Sequence, residues 1–157
     1  MPFIGLIFAN QPVELVPILV GALSPAKEKE YGQMLAKYLN DEETLFVVSS
    51  DFCHWGDDFD YKLVVPGFQS ISKSIQALDF AAMDIIAAHD SKELDEYLED
   101  TDNTICGRHA IAVYLHALES LKSKHHTRFL SYAQSGEIES DSDSSVSYAA
   151  AVTTLIN

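Results

Sequence analysis

The sequence predicts an α/β fold in which a mixed, largely parallel sheet is flanked by helices. Uncharged apolar runs of strand length alternate along the chain with longer segments whose apolar residues recur at helical spacing. The runs are continuous in apolar residues, which is typical of strands that are covered on both faces. We therefore expect a parallel core with some antiparallel strands, built as one domain over residues 1–157.

The first strand and the first helix are predicted between residues 15 and 39. The run LVPILVGAL, residues 15–23, indicates a buried strand. Ser24 then suits the N-cap of a helix, and Pro25 is favoured at the first helical position. The helix is supported by apolar residues at helical spacing, namely Tyr31, Met34, Leu35, Tyr38 and Leu39.

A second strand and a second helix follow. The run TLFVVSS, residues 44–50, predicts another buried strand, and a loop extends from Asp51 to about Pro66. Residues 68–89 predict a helix, because their apolar residues again recur at helical spacing: Ile71, Ile75, Leu78, Ala82, Ile85 and Ile86.

The remaining chain predicts two more helices and two strands. Ser91 suits the N-cap of a short acidic helix, SKELDEYLED. The segment HAIAVYLHALESLKSK predicts a long amphipathic helix. The segments TRFLSYAQSG and SVSYAAAVTTLI predict two late strands, which are separated by an acidic, serine-rich stretch at residues 137–145.

Composition and charge exclude several classes of protein. The 157 residues are 47% hydrophobic and 22% charged, as in globular domains, and 24 Asp and Glu outnumber 10 Lys and Arg to give a net charge of −14. An acidic surface disfavours nucleic acid and anionic membrane as partners. The apolar N-terminus lacks a positive start and is interrupted by polar residues, so neither a signal peptide nor a membrane span is predicted. With two cysteines that lack disulfide-scaffold spacing, the expected location is cytoplasmic, with the nucleus as a second compartment.

The stretch SSDFCHWG places several reactive side chains directly after the second predicted strand, where ligand crevices form in open α/β folds. On an extended path Asp51 and Cys53 point one way and His54 the other, so Cys53 and His54 are not expected to form a nucleophile–base pair. We interpret Cys53 as a small buried hydrophobe and Trp55 with Gly56 as a packing anchor and turn. His54 is either a structural loop histidine or a functional group.

A second cluster of candidate residues lies in NTICGRHAI. Cys106 precedes Gly107 at about the start of the long helix, and helix N-termini favour the thiolate form that binds metals and attacks electrophiles. Arg108 adds positive charge nearby. A buried structural thiol is an equally open interpretation of Cys106. His109 and His116 share a helix face but are two turns apart, too far to bind one metal ion together.

Six segments in order along nearly the whole chain resemble the Memo family: ILVGALSPAKEKEYGQMLAKYL, LFVVSSDFCHWG, SIQALD, NTICGRHAI, FLSYAQS and DSSVSYAA. The resemblance implies a fold similar to the class III extradiol dioxygenases, which are non-haem iron enzymes. It also implies that Cys106 is a metal ligand, that His54 is an acid–base or pocket residue, and that Asp51 is an adjacent supporting carboxylate. Iron or copper is the implied metal.

The sequence departs from the family in length and at residues 1–14. Family members are nearly twice as long, and in them two further metal ligands are histidines of the N-terminal half, so this chain resembles the C-terminal half only. We therefore expect an incomplete metal site. We also expect a surface, exposed by truncation of the fold at its N-terminus, through which the chain associates with itself.

The sequence leaves three functions open. The first is a non-catalytic regulator or adaptor in cell motility and cytoskeletal signalling, with a pocket for a phosphotyrosine-containing peptide of a receptor or signalling protein. The second is an iron- or copper-dependent redox protein, a non-haem oxidoreductase that uses Cys106 and His54. The third is an inactive half-domain. We favour the first, because fold similarity to an enzyme does not carry over its activity.

Overall fold

The computed structural model describes residues 2–156 and has a mixed α/β architecture. The class predicted from the sequence is thereby confirmed at this coarse level. A short 3₁₀ turn at Asp57–Phe59 follows the first strand. In chain order the helices and strands are α1 (Pro2–Ile7), α2 (Pro25–Leu39), β1 (His54–Trp55), α3 (Ile71–Ala88), α4 (Ser91–Thr101), α5 (Arg108–Glu119), β2 (His125–Gln134) and β3 (Ser145–Leu155).

The sheet is antiparallel, which corrects the prediction of a largely parallel one. Its three strands lie in the order β1–β3–β2. The strands β2 and β3 form a long hairpin in which His125 lies opposite Leu155, and β1 adds two residues with His54 opposite Val146. The strands β2 and β3 are joined as a hairpin, which is antiparallel by construction, and β1 pairs antiparallel with the start of β3 although it lies far from it in the sequence.

Both predicted N-terminal strands, residues 15–23 and 44–50, lack regular secondary structure in the described part of the chain. Most of their apolar side chains are exposed: Val16 is 78% exposed, Leu19 98% and Leu45 69%. A strand needs a neighbouring strand to satisfy its backbone N–H and C=O groups, and the described residues supply none here. The prediction of strands was therefore wrong for these two segments, although the composition of each segment favours a strand.

Helices α2 to α5 begin close to where the sequence predicts, whereas the short helix α1 was not predicted. Ser24 takes the N-cap position of α2, and Pro25 opens the helix. The N-cap of α4 is Asp90 and not the predicted Ser91, because the Asp90 side chain accepts a hydrogen bond from the N–H of Glu93. A carboxylate at this position also interacts favourably with the helix dipole. None of the helices within residues 2–156 is both long and apolar enough to cross a membrane.

Two groups of buried side chains form the core. The larger one joins α3, α4 and α5 to the chain just before β1, and a smaller one packs around the tryptophan of β1. Helix α2 lies along α5, where Gly32 permits a close approach: a Cβ there would lie 2.5 Å from the Cβ of His116. The larger group contains Phe52, Ala82, Ile86, Leu94, Ile105, Ile111, Leu115 and Leu118, and the smaller one Cys53, Trp55, Tyr61, Ile75 and Ile138.

Trp55 anchors the smaller group, as the sequence predicts. Its side chain is 1% exposed, and its indole Nε1–H donates to the carbonyl oxygen of Leu63 at 3.1 Å. Gly56 follows with φ of 121°, a left-handed conformation that glycine adopts without strain. The anchor and the turn fix the path of the chain directly after His54.

Candidate functional site

The chain enters β1 through an irregular pairing with β3. The N–H of Phe52 and the carbonyl of Cys53 both bond to Ser147, while the N–H of Cys53 donates to Oδ1 of Asp79 at 3.1 Å. The Cys53 side chain is fully buried, which confirms its interpretation as a packing residue. Burial, with a smaller contribution from the Asp79 carboxylate, raises the pKa of Cys53 to about 12, so its thiolate is not available at neutral pH.

His54 is held by the loop that precedes α5. Its backbone N–H donates to Oγ1 of Thr104 at 2.7 Å, and its ring Nδ1 lies 3.0 Å from the carbonyl oxygen of Thr104. Since a carbonyl oxygen only accepts hydrogen bonds, Nδ1 carries a proton and the lone pair of a neutral ring is on Nε2. The ring of Phe59 packs edge-on against the imidazole, with 5.1 Å between the two ring centroids. The His54 side chain is 19% exposed.

Asp51 lies beside the free nitrogen of His54. Its Oδ2 atom is 4.0 Å from Nε2, and the Asp51 side chain is 46% exposed. This distance is too long for a hydrogen bond but short enough for attraction between the carboxylate and a protonated imidazole. An incoming ligand at Nε2 therefore meets the carboxylate as well.

Cys106 is positioned by the loop that carries Ser50 and Asp51, which contacts the start of α5. Its Sγ accepts a hydrogen bond from the backbone N–H of Asp51 at 3.2 Å and is exposed. The next residue, Gly107, donates its N–H to Oγ of Ser50 at 2.9 Å. A side chain at Gly107 would clash, since its Cβ would lie 2.5 Å from the Cβ of Ser50. Glycine at this position lets the start of α5 approach the loop that carries Asp51.

The structure thus places the three predicted site residues, Asp51, His54 and Cys106, in one cluster. Asp51 contacts His54 through its side chain and Cys106 through its backbone. Thr104, two residues before Cys106, holds the His54 ring from the other side, and sequence reasoning missed this role. A threonine in a loop has no pattern that would identify it as the partner of a residue fifty positions away.

Asp79 is a buried carboxylate that sequence reasoning also missed. It lies on α3 with 0% exposure, and its Oδ2 accepts a hydrogen bond from the Tyr132 hydroxyl at 2.8 Å. Burial raises the pKa of the Asp79 carboxyl, and the hydrogen bonds that it accepts oppose this shift. A signal was present in the sequence, because Asp79 occupies an apolar position of the helix between Ile75 and Ala82.

The described residues do not fit a complete iron or copper centre. Within residues 2–156, no three or more His, Cys, Asp or Glu side chains are grouped so that they could hold a metal ion. Catalytic metal centres commonly have at least three protein ligands. The cluster provides the Nε2 lone pair of His54 and the sulfur of Cys106, with the Asp51 carboxylate to one side.

The two histidines of α5 bond to different carboxylates. Nδ1 of His109 lies 2.5 Å from Oε1 of the buried Glu28 on α2. Nδ1 of His116 lies 3.0 Å from Oε2 of Glu119, one turn along its own helix. The two histidine rings are therefore engaged by carboxylates on different helices.

A groove of about 890 Å³ lies away from this cluster. It runs between the start of α3 and the turn that joins β2 to β3, where Lys73 and Gln134 are among its lining residues, and it includes neither His54 nor Cys106. It is open, and its surface combines polar and apolar groups in similar proportion. The cluster is the stronger candidate site, because the described residues that line the groove include no cysteine or histidine.

Comparison with known proteins identifies relatives over most of the chain. A family model described as Memo-like protein matches residues 1–152. Protein MEMO1 of Danio rerio is 49% identical over 139 residues, which cover 87% of this chain and 47% of that protein. Protein MEMO1 of Homo sapiens is 46% identical over 144 residues, which cover 90% of this chain and 48% of that protein. Protein memo-1 homolog of Caenorhabditis elegans is 38% identical over 161 aligned positions, which cover 97% of this chain and 45% of that protein. The chain spans about half the length of the curated relatives it matches.

Proposed function

Because this chain belongs to the Memo-like protein family, we propose that it is a non-catalytic regulator or adaptor in cell motility and cytoskeletal signalling. In this proposal the surface around His54 binds a phosphotyrosine-containing peptide of a receptor or signalling protein. The protein acts in the cytoplasm, with the nucleus as a second compartment. Its complete fold follows the extradiol dioxygenase-like plan that the family resemblance implies.

The fixed orientation of the His54 ring is the observation that carries the proposal. The bond from Nδ1 to the Thr104 carbonyl leaves Nε2 as the nitrogen that meets a ligand. When Nε2 is protonated it donates a charge-assisted hydrogen bond, which is stronger than a neutral one and suits a phosphate oxygen. The binding of a phosphate group is therefore coupled to a proton on Nε2.

Neighbouring groups support recognition of an aromatic phosphate. Phe59 gives the ring of a tyrosine an apolar surface beside His54. Arg108 is the first residue of α5, its guanidinium donates to the carbonyl of Ile105 in the preceding loop at 3.3 Å, and it adds positive charge to that loop. Asp51 acts in the opposite direction, because its carboxylate repels a phosphate and competes with it for the protonated ring.

The test is binding of a fluorescent phosphotyrosine peptide, compared with the same peptide without phosphate. We expect His54→Ala to weaken binding about tenfold or more, since it removes a charge-assisted hydrogen bond. We expect Asp51→Asn to strengthen binding, because it removes the competing carboxylate. His126→Ala is the matched control, since His126 is exposed on β2 and outside the cluster.

Two results would contradict the proposal. One is equal binding of the phosphorylated and unphosphorylated peptides. The other is unchanged binding in His54→Ala while the circular dichroism spectrum shows that this variant remains folded.

A metal-dependent redox protein is the second candidate, favoured by the proximity of Cys106 to the loop of His54. Iron or copper would be held by Cys106 and His54 in this alternative. The metal content of the purified protein, compared with that of Cys106→Ser, distinguishes it from the adaptor. Stoichiometric metal that is lost in Cys106→Ser supports the redox protein, and no metal in either protein removes it. Absence of both metal and peptide binding leaves the third alternative, an inactive half-domain.

A further inference from the structure

The buried carboxyl group of Asp79 contacts both chain segments that meet at the candidate site. Asp79 lies on α3 and is 0% exposed. Its Oδ1 accepts a hydrogen bond from the backbone N–H of Cys53 at 3.1 Å, and its Oδ2 accepts one from the hydroxyl of Tyr132 at 2.8 Å. The side chains of Asn103 and Ser147 also lie beside it. Polar groups from β2, β3, the chain before β1 and the loop before α5 therefore surround this one carboxyl group.

Two of these neighbours, Cys53 and Asn103, directly precede the two residues whose contact orients the site. Cys53 precedes His54, and Asn103 precedes Thr104. Three hydrogen bonds join His54 to Thr104. The N–H of His54 donates to Oγ1 of Thr104 at 2.7 Å, this hydroxyl donates to the carbonyl of His54 at 2.9 Å, and the ring Nδ1 lies 3.0 Å from the carbonyl of Thr104. Asp79 thus contacts each segment one residue before the point at which the segments meet.

The side-chain amide of Asn103 has a buried oxygen that accepts no hydrogen bond from the chain within residues 2–156. Asn103 is 3% exposed, and its Nδ2 donates to the hydroxyl of Tyr97 at 2.7 Å. That hydroxyl donates its own proton to the carbonyl of Leu78 at 2.9 Å, so it can only accept from Asn103, and the orientation of the amide is fixed. A buried acceptor without a donor is costly. A neighbouring group with a proton to donate would therefore stabilise this loop.

The protonated form of Asp79 is such a donor. A carboxylate only accepts hydrogen bonds, whereas a protonated carboxyl group has one O–H to donate. The titratable groups that face Asp79 from the surrounding elements are Cys53, Tyr61, Tyr97 and Tyr132. Burial raises the pKa of each of them, so all four are uncharged at neutral pH and none compensates a negative charge on Asp79. Burial also raises the pKa of Asp79 itself.

We propose that Asp79 is a proton-dependent positioning residue, whose protonated carboxyl group donates to Oδ1 of Asn103 and so holds the loop of Thr104 against His54. Ionisation removes this donor and places a carboxylate beside the amide oxygen, which it repels. Because the folded-state pKa of Asp79 is raised, the bond is present below that pKa and is lost as pH rises through it. The contact between His54 and Thr104 then loosens. This role does not depend on which ligand binds at His54.

The test combines infrared spectroscopy with NMR of the His54 ring across a pH titration. The difference spectrum between the native protein and Asp79→Asn isolates the carbonyl band of the protonated Asp79 carboxyl group. We expect this band to persist above about pH 4, where ordinary aspartates ionise, and to disappear as pH rises further. Asp84→Asn is the matched control, because Asp84 is exposed on the same helix, and it should leave the band unchanged.

The NMR signal of the Nδ1–H proton of His54 reports the bond to Thr104 whether or not Nε2 is protonated. In the native protein we expect this signal to be lost with the same midpoint as the infrared band. In Asp79→Asn it should persist, because the new amide can donate to Asn103 and accept from Cys53 at every pH. This comparison also removes the general effect of pH on proton exchange. Asp79→Leu can do neither, and a folded Asp79→Leu protein should lack the signal throughout.

Three results would overturn the proposal, and each needs only the native protein and Asp79→Asn. The first is an infrared difference that disappears at the pH of an ordinary aspartate. The second is loss of the Asp79 band without any change in the Nδ1–H signal of His54. The third is loss of that signal at the same pH in Asp79→Asn as in the native protein.

Discussion

Two regions with similar apolar content differ completely in burial. In helix α5, Leu115 is 0% exposed, whereas Leu19 in the segment of residues 15–23 is 98% exposed. Both leucines lie among other apolar residues in the sequence. The α5 leucine is enclosed by side chains from α3 and α4, while no described element covers the segment around Leu19. Burial is therefore a property of the partners that surround a segment as much as of its own sequence.

The strongest test of this difference is the same substitution in both regions. We expect Leu115→Ala to lower the free energy of unfolding by about 3 kcal/mol, since it removes buried methyl groups and leaves a cavity. We expect Leu19→Ala to change it by less than about 0.5 kcal/mol, as at other exposed positions. Urea denaturation of the two variants measures both values. Equal losses would mean that residues around Leu19 are buried in solution.

A pair of glycines gives a second comparison. Gly32→Ala places a Cβ 2.7 Å from the carbonyl oxygen of Val113, and we expect a loss of about 1–3 kcal/mol because backbone atoms must move. At Gly21 nothing lies within 4 Å, so Gly21→Ala should be neutral or slightly stabilising. Melting temperatures of the two variants provide the measurement. A stabilised Gly32→Ala would show that α2 does not pack closely on α5 in solution.

The smallest expected effect is the pH dependence of stability that comes from Asp79, the buried carboxyl group of α3. The folded-state pKa of Asp79 is raised above its ordinary value of 3.8 by burial, so the folded protein binds this proton more tightly than the unfolded chain does. Its contribution to stability is fully present below the unfolded pKa and is lost as pH rises through the folded pKa. Asp79→Asn cannot ionise. The stability of the native protein relative to Asp79→Asn should therefore fall as pH rises above about 4, the ordinary pKa of this carboxyl group.

Urea denaturation of both proteins across this pH range isolates the Asp79 contribution, because the other titrating groups are common to both. A difference that stays constant with pH would contradict the expected protonation of Asp79. If the native protein instead became more stable relative to Asp79→Asn as pH rises, the hydrogen bonds that Asp79 accepts from Tyr132 and Cys53 would outweigh the cost of burying its charge.

Local patterns predicted helices α2 to α5 and the two late strands β2 and β3, but not the short helix α1 or the pairing of β2 with β3. Apolar spacing and end signals such as Ser24 with Pro25 act within a few residues, and the contacts that they predict form within one element. The two N-terminal strands and the parallel sheet were predicted wrongly. A strand depends on a partner that can lie anywhere in a chain, and the described residues provide no partner for residues 15–23 or 44–50.

The candidate site shows the same division. The sequence and its resemblance to a family identified Asp51, His54 and Cys106 as the candidate site residues. The position of Thr104, which sets the proton on the His54 ring, could not be read from local patterns because the two residues meet only after folding. Asp79 could have been suspected from its apolar position on α3, but its hydrogen bond from the backbone N–H of Cys53 joins distant parts of the chain.

The sequence by itself determined the family, the helices and the chemical groups that are available, because these depend on residue identity and on spacing of a few positions. Only the tertiary structure decided that the sheet is antiparallel, that Cys106 is exposed, and that Nε2 of His54 is the free nitrogen. These features arise from contacts between residues far apart in the chain. Such contacts form only when the whole fold brings complementary surfaces and hydrogen-bonding groups together.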